Sequence, residues 1–545
     1  MADFGYLIFY FFLLFLLSPL YGYFMAFVFK KESIWGERKV FSYLFSGSPM
    51  GQSANEYLRS LLVFHGLGGI ILFGILMFQD RLPLNPLHLN GLSWHLALNT
   101  TISFITNTNW QAYSGESQLS YFSQTLGLAP QNFYSAAVGI SVLCFVGRGL
   151  SSSQTNEFGN FWVDLYRATF YILLPLSILL ALVLVSQGVV QSFDAPIQSI
   201  GLDGFKQTIP LGPAASQISI KQLGTNGGGF FGVNSAHPFE NPTAISNFLE
   251  SFSILFLPAA SIFLFGKLVG SFKHAWVIFF VMLTFLFIGY AIVYSSEVNT
   301  AGIWEGKETR FSWIESTFWM SATTAASNGS VNAMHDSFSP LAGSIALFQM
   351  MIGEVIFGGV GTGMYGMFLF IVLTVFLSGL MTGRTPELFG KKIGSFEMKW
   401  TLFGILAPSV CILIGSAIST FFESGYSAKG PHALSQILYA YSSASGNNGS
   451  AFAGFAADSI WGNLSLGVCM LVGRFSVIAS SIYVAASLGK KITAKSTEGS
   501  FRTDTILFGI LLFSILILVC GLTFFPFLTL GPILEHFLLG AGKFF

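Results

Sequence analysis

Ten apolar runs, at roughly 5–29, 59–79, 130–150, 163–187, 247–271, 275–295, 342–380, 401–421, 463–487 and 505–530, alternate with polar stretches along the chain. Each holds the roughly 20 residues that a helix needs to cross a bilayer. The seventh is too long for one plain helix. Four shorter runs, 93–105, 213–224, 312–326 and 431–446, lie between pairs of the longer ones and fall short of a crossing. Local signals make helices of them: Ser312-Trp313-Ile314-Glu315 fits a capping box, and Pro213 and Pro431 suit a first helical turn. The pattern predicts an all-α polytopic membrane protein. Spanning helix, half-helix, turn and second spanning helix recur four times around one axis, with one extra helix at each end.

A polar turn containing asparagine follows each short run. The turns are Thr106-Asn107-Thr108-Asn109, Thr225-Asn226-Gly227-Gly228, Ser327-Asn328-Gly329-Ser330 and Asn447-Asn448-Gly449-Ser450, aligned here on Asn107, Asn226, Asn328 and the middle Asn448. Irregular backbone at membrane depth is tolerated only where protein buries it or it lines a wet cavity. The half-helices are therefore expected to dip in and aim their partly negative C-terminal ends at a central cavity, which favours cations. Backbone with so few side chains can turn its carbonyls onto something small. Rings of carbonyls replace the hydration shell of a cation, and potassium is the usual guest, so all sixteen turn residues are expected to bind ions. Asn-Gly pairs are also ordinary loop punctuation, but that does not explain four turns that each follow a short run on one side. Asn328-Gly329-Ser330 and Asn448-Gly449-Ser450 match a glycosylation sequon, a reading that a pore-lining turn excludes.

Composition agrees with a membrane protein: of 545 residues 53% are hydrophobic and 9% charged, against roughly 25% charged in soluble domains. A net charge of zero argues against a nucleic-acid partner. Cys144, Cys411, Cys469 and Cys520 each lie in an apolar run without paired spacing and read as packing residues. No phosphate-binding loop and no D-K-T-G-T sequence occurs, so no ATP-hydrolysing motif is visible in this chain. Gly361-Thr362-Gly363-Met364-Tyr365-Gly366 fits G-x-G-x-x-G, yet it sits inside an apolar run where a dinucleotide site has no place.

Basic residues in alternate loops split seventeen to seven. The richer set, which includes Lys30, Lys31, Arg38, Lys39, Lys392 and Lys495, is cytoplasmic by the positive-inside rule. The poorer set holds Arg81, Lys206, Lys221, Lys307, Arg310, Lys429 and Lys543, and all four turns fall on its side. Ten spans with both termini outside follow. The expected divisions are an N-terminal helix and cytoplasmic loop (1–58), four pore repeats (59–150, 151–272, 273–398 and 399–490) and a C-terminal helix (491–545).

Two features of the spans bear on ion movement. Gly353-Glu354-Val355-Ile356-Phe357-Gly358-Gly359-Val360-Gly361 lies in the seventh run and suggests a break beneath the turns, where a loop could obstruct or redirect an ion. Its alternative is close packing through small residues. Arg474 stands alone in the ninth run, where an arginine costs roughly 2.5–3.5 kcal/mol to insert and is expected to face a cavity or a partner. Pairing with Glu354 and a place on the ion route both remain open.

With these pieces in hand, the sequence closely resembles the KdpA family, the potassium-binding subunits of Kdp-type potassium-transporting ATPases. The resemblance runs over essentially the whole chain. Its most specific stretches are Thr106-Asn107-Thr108-Asn109-Trp110-Gln111, Leu223 to Phe231 with Asn234-Ser235-Ala236-His237-Pro238 and Glu240-Asn241-Pro242, Gly353 to Gly361, and Gly446 to Ser450. It implies the fold of the superfamily of potassium transporters and a bacterial inner-membrane complex. In that complex a P-type subunit, KdpB, hydrolyses ATP, and KdpC and the single-helix KdpF complete the assembly in the lipid bilayer. It also implies potassium as the transported ion, no further cofactor in this chain, and a sideways route from the turns to the pump subunit. Carried over, the filter is the four turns. Gln111 borders the first and Arg474 lies near the inner cavity; on the residues themselves, Glu354, Gly358, Gly359 and Gly361 are expected to be pore-lining or gating. Two other classes are a stand-alone Trk/Ktr-type potassium channel or symporter, which shares the four repeats, and a secondary transporter of organic solutes, which lacks them.

Overall fold

The computed structural model describes residues 2–31, 37, 51–299, 305–353, 355–422, 425–494 and 502–542. Among them, ten helices are long and apolar enough to cross a membrane: Gly5–Lys30, Ala54–Met77, Ser123–Ser151, Phe161–Ser186, Ala244–Val269, Phe272–Val298, Thr362–Met381, Ser395–Phe421, Ile460–Gly489 and Ile506–Gly540. The chain is an all-helical, multi-pass membrane protein. The four short helices are Trp94–Ile105, Ala214–Leu223, Trp313–Ala325 and Pro431–Ser445, each between the two spans of one repeat. Ser312 accepts from the Glu315 N–H while the Glu315 carboxylate accepts from the Ser312 N–H, so the third starts with both halves of a capping box.

Burial separates the two spans of a repeat. In their most apolar windows, 83%, 89% and 78% of spans three, five and seven is buried, against 28% in spans two and eight. The second helix of a repeat lines the interior, and the first leaves much of its apolar surface to lipid. The first span packs against span five, and the last packs against spans six and seven.

The seventh run is broken. Pro340–Met351 and Thr362–Met381 are separate helices, and between them Gly353, Phe357, Gly358 and Gly361 take positive φ. Gly361 caps the second piece, and among the described residues the element before it is the helix Pro340–Met351 and not a strand, so the dinucleotide lookalike is a helix start. Three wide helical turns, Ser123–Leu128, Ala168–Leu173 and Thr529–Ile533, lie next to or across Pro130, Pro175 and Pro532. A proline has no N–H for the i−4 carbonyl, and the helix widens locally to accommodate it. The first of these extends span three back to Ser123, seven residues before the apolar run begins.

Opposite the half-helices, buried charges tie the spans together. Arg148 bonds Asp164 at 2.7 Å, Arg167 bonds Glu37 at 2.9 Å, and the Lys391 ammonium donates to the carbonyls of Gly149, Leu150 and Ser152, closing the end of span three. Charges this buried are tolerable only when fully partnered. Arg38, Lys39, Lys495 and Lys543 of the charge count lie outside the described residues.

Candidate functional site

Each half-helix ends in the same backbone figure. Thr106, Gly224, Ala326 and Gly446 close the helices with ψ near zero. Asn107, Thr225, Ser327 and Asn447 then take φ of 67°, 50°, 48° and 48°, and two residues later Asn109, Gly227, Gly329 and Gly449 take 52°, 82°, 83° and 97°. The residues between them return to negative φ. In an extended strand successive carbonyls point to opposite sides; alternating the sign of φ turns every second peptide over, so that consecutive carbonyls can face one way. This figure corrects the alignment of the first turn by one residue. Thr108, not Asn107, stands level with Asn226, Asn328 and Asn448, and Trp110 stands level with Gly228, Ser330 and Ser450. Asparagine is a poor anchor here because Asn107 occupies a left-handed position that asparagine also tolerates.

The four turns meet edge to edge. A Cβ placed on Gly227 would fall 1.5 Å from the Asn328 carbonyl oxygen, one on Gly329 would fall 2.0 Å from that of Asn448, and one on Gly449 would fall 2.0 Å from that of Thr108. Contacts from repeat two to three, three to four and four to one close three seams of a ring, and the side chains of Asn107 and Gln111 bridge the fourth. At the remaining seam Asn109 carries a side chain, and its amide turns away to Asn132 at 2.8 Å. Side chains lace the ring as well. Asn107 Nδ2 donates to the Thr225 carbonyl at 2.9 Å, Ser327 Oγ to Gly446 O at 3.0 Å and Asn447 Nδ2 to Thr108 Oγ1 at 2.9 Å. Asn328 and Asn448 donate to the carbonyls of Lys221 and Thr323, one half-helix back around the ring. Gln111 clamps the first turn to the second, donating to Gly229 O at 3.0 Å and accepting from the Gly229 N–H at 2.8 Å.

Every polar residue of the turns is at most 4% exposed. Among the described residues no group of three His, Cys, Asp or Glu side chains forms a metal cluster. The ring offers carbonyls, hydroxyls and amides at the negative ends of four helices, a donor set for a monovalent cation rather than a strongly bound divalent one.

The broken segment of span seven packs beneath the second turn. The Val360 N–H donates to Thr225 Oγ1 at 2.9 Å, and Gly139 of span three and Gly361 approach so closely that a Cβ on either would strike the other segment's backbone within 2.3 Å. Arg474 is 2% exposed and donates to Thr362 Oγ1 at 2.7 Å and to the Ser135 carbonyl at 3.1 Å. Glu354, the carboxylate considered for it, lies outside the described residues. Arg474, Gly353, Thr362, Gly446, Asn447 and Phe524 are among the residues around a cavity of about 50 Å³ between the ring and the last span.

At the start of the fourth half-helix, His432 sits between Asp336 (3.0 Å) and Glu535 (2.8 Å). Burial alone would disfavour the charged ring, but the two carboxylates outweigh it and push the pKa up to about 10.

Sequence reasoning missed the support behind the second turn. Lys221, counted there among loop cations, is fully buried and ion-paired to Glu240. A lysine in the last turn of a short half-helix, two residues before the specific stretch that carries Glu240, was the available signal.

Four half-helices whose turns close one ring inside ten spans define the class: a four-repeat membrane protein with the architecture of potassium transporters. The crystal structure of the potassium transporter TrkH from Vibrio parahaemolyticus superposes with a TM-score of 0.55 over 85% of this chain and 95% of that one, at 14% identity, a likeness of fold alone. The family model KdpA, described as potassium-transporting ATPase A subunit, matches residues 8–537. The potassium-transporting ATPase potassium-binding subunit of Leptospira interrogans serogroup Icterohaemorrhagiae serovar copenhageni is 52% identical over 540 residues, 97% of each chain. Its counterpart from Pseudomonas syringae pv. tomato is 50% identical over 563 residues, 99% of this chain and 100% of that one. The chain belongs to the KdpA family.

Proposed function

We propose that this chain is the potassium-binding and translocating subunit of an ATP-driven potassium uptake complex of the bacterial inner membrane, with the ring of four turns as its selectivity filter. The closed ring, in which three glycines lie where any Cβ would strike the next turn's carbonyl, is the observation that carries this reading. A dehydrated potassium ion trades its water for the carbonyls and hydroxyls of the turns, and the negative ends of the half-helices offset its charge. Both termini and the filter face the medium, as the charge split of the loops suggests. Beneath the ring, the Val355–Gly361 loop blocks the straight path, and Arg474 repels a second cation from the inner cavity. The cavity beside Asn447 then gives the ion a sideways exit. Energy comes from a separate P-type subunit, KdpB, assembled with KdpC and KdpF, as expected of a member of this family.

Cation-stimulated ATP hydrolysis by the purified native complex, compared in potassium, rubidium, ammonium and sodium, tests the proposal. Gly227→Ser is expected to weaken apparent potassium affinity and narrow the discrimination against rubidium and ammonium. Unchanged affinity and an unchanged ion series would remove the turns from the filter. A stand-alone Trk/Ktr-type transporter, which the TrkH likeness of fold would suit, predicts purification without a tightly bound ATPase.

A further inference from the structure

The four half-helices place two serines, a threonine and a lysine at one equivalent position. The N–H groups of Thr108, Asn226, Asn328 and Asn448 donate to the carbonyls of Ser103, Lys221, Thr323 and Ser443 at 2.8–3.0 Å, so these four residues stand under the four turns in the same way. Three carry hydroxyls that reach only their own turn. Ser103 Oγ donates to the Trp110 carbonyl, Thr323 Oγ1 donates to Asn328 Oδ1, and Ser443 Oγ accepts from the Gly449 N–H. The fourth is Lys221, whose ammonium is fully buried beside the cation ring.

A buried ammonium has three hydrogens and no acceptor, and all three are taken. They go to Glu240 Oε2, to Ser235 Oγ at 3.0 Å and to Asn234 Oδ1 at 2.9 Å. Because lysine only donates, the oxygen of the Asn234 amide must face it, which leaves the nitrogen for the opposite side. There Asn234 Nδ2 donates to the Gly227 carbonyl at 2.8 Å. No side chain among the described residues donates to the equivalent carbonyls of Gly329 and Gly449. Glu240 completes the support by accepting from the Phe231 N–H with its other oxygen at 2.8 Å.

We propose that Lys221, acting through Asn234, positions the Gly227 carbonyl and so sets which monovalent cation the second quarter of the ring accepts. Lys221 is a positioning residue: it touches no ion, and Glu240 neutralises the charge that would otherwise repel one. The arm replaces the side-chain support that this glycine-rich turn cannot supply. Where the third and fourth turns have Ser330, bonded to Gln222, and Ser450, bonded to Tyr439, the second has Gly228. Without the arm the Gly227 carbonyl is free to rotate toward larger or hydrogen-bonding cations.

The inference rests on the filter reading, and the test separates the two. Asn234→Asp keeps an oxygen for Lys221 but has no donor for Gly227. Asn234→Gly keeps the left-handed φ of 57° and removes the arm. In the native complex, both are expected to raise half-saturating potassium about tenfold, the effect of one lost hydrogen bond to a positioned group. Potassium-over-rubidium discrimination is expected to fall by a similar factor, with maximal ATPase rate and complex yield unchanged. A neutral pair, Lys221→Met with Glu240→Gln, is expected to give the same shift; the Asn234 variants decide the matter whether or not that pair assembles. Wild-type half-saturation and ion ratio in assembled Asn234→Asp and Asn234→Gly complexes would overturn the proposal. If Gly227→Ser still shifts both quantities, only the arm is refuted; if it too is unaffected, the filter reading fails with it.

Discussion

The second and third turns bring the chain back from a half-helix along the same backbone figure, yet they are held by opposite means. Around the third, every support is neutral: the Trp319 indole donates to the Ser330 carbonyl at 2.9 Å, and Thr323 and Ser330 both reach the Asn328 amide. Around the second, an ammonium and a carboxylate with no exposed surface do the holding. The difference follows from side-chain supply. Ser327-Asn328-Gly329-Ser330 ends on a hydroxyl that bonds Gln222, whereas Thr225-Asn226-Gly227-Gly228 ends on a glycine and is held by Asn234 on one side and Gln111 on the other. A single chain with unequal quarters can thus remove side chains from one quarter and restore its rigidity from residues further along, which a symmetric tetramer could do only four times over.

The comparison presumes that both turns face one side of the membrane, and the sharpest break would come from topology. Cysteines at the exposed positions Lys206 and Lys429 are expected to react fully with an impermeant thiol reagent from the medium, and one at exposed Lys392 not at all. The reverse pattern of labelling would reject the orientation.

Next in size is a test of the ring itself. Gly329→Ala places a Cβ 2.0 Å from the Asn448 carbonyl at a left-handed φ of 83°, whereas Gly359→Ala meets its nearest neighbour at 3.4 Å. Overpacking and left-handed strain of roughly 1–3 kcal/mol each predict a loss of apparent potassium affinity of about a hundredfold in the first and little change in the second. Equal effects of the two substitutions, read as half-saturating potassium, would contradict a ring closed at its seams.

A smaller effect is expected at Arg474, the cation that faces a cavity where Lys221 faces a carboxylate. Arg474→Met removes two hydrogen bonds but leaves no buried carboxylate behind among the described residues, so the complex should assemble in normal yield. If, as proposed, the fixed charge of Arg474 below the ring limits how many ions occupy the route, potassium-stimulated ATPase and transport are expected to lose their normal ratio. Wild-type transport and ATPase activity in a well-assembled variant would take Arg474 off the ion path.

The smallest effect belongs to His432, a titratable tie in repeat four where repeat two uses a sealed one. Its pKa is raised in the folded protein to about 10 from an ordinary value near 6.5. The stabilisation is therefore complete below about pH 6.5 and is lost as pH rises through 10. Wild-type and His432→Gln complexes should differ in Tm by a few degrees at most at pH 6, and the gap should close above pH 10. A gap that persists at high pH would make the role of His432 one of packing.

Hydrophobic length alone determined the ten crossings and the four half-helices, because the bilayer imposes a residue count that is read directly from a run of apolar side chains. The break in the seventh run was legible for the same reason: 342–380 exceeds one crossing, and Gly358, Gly359 and Gly361 mark where it gives way. The turns were visible as polar islands, but the register of the first was not. Asn107 and Asn226 look alike in sequence, and only backbone φ shows that Thr108 takes the position of Asn226. Sequence marked Lys221 only by its place in the last turn of a half-helix, which does not by itself show a buried ammonium. Its burial depends on the fold bringing Glu240, Ser235 and Asn234 around one ammonium, and the closed ring depends on glycines from different repeats meeting carbonyls more than a hundred residues away. Local pattern encodes what the membrane demands of each segment; which oxygen faces which neighbour is decided only when all four repeats pack around one axis.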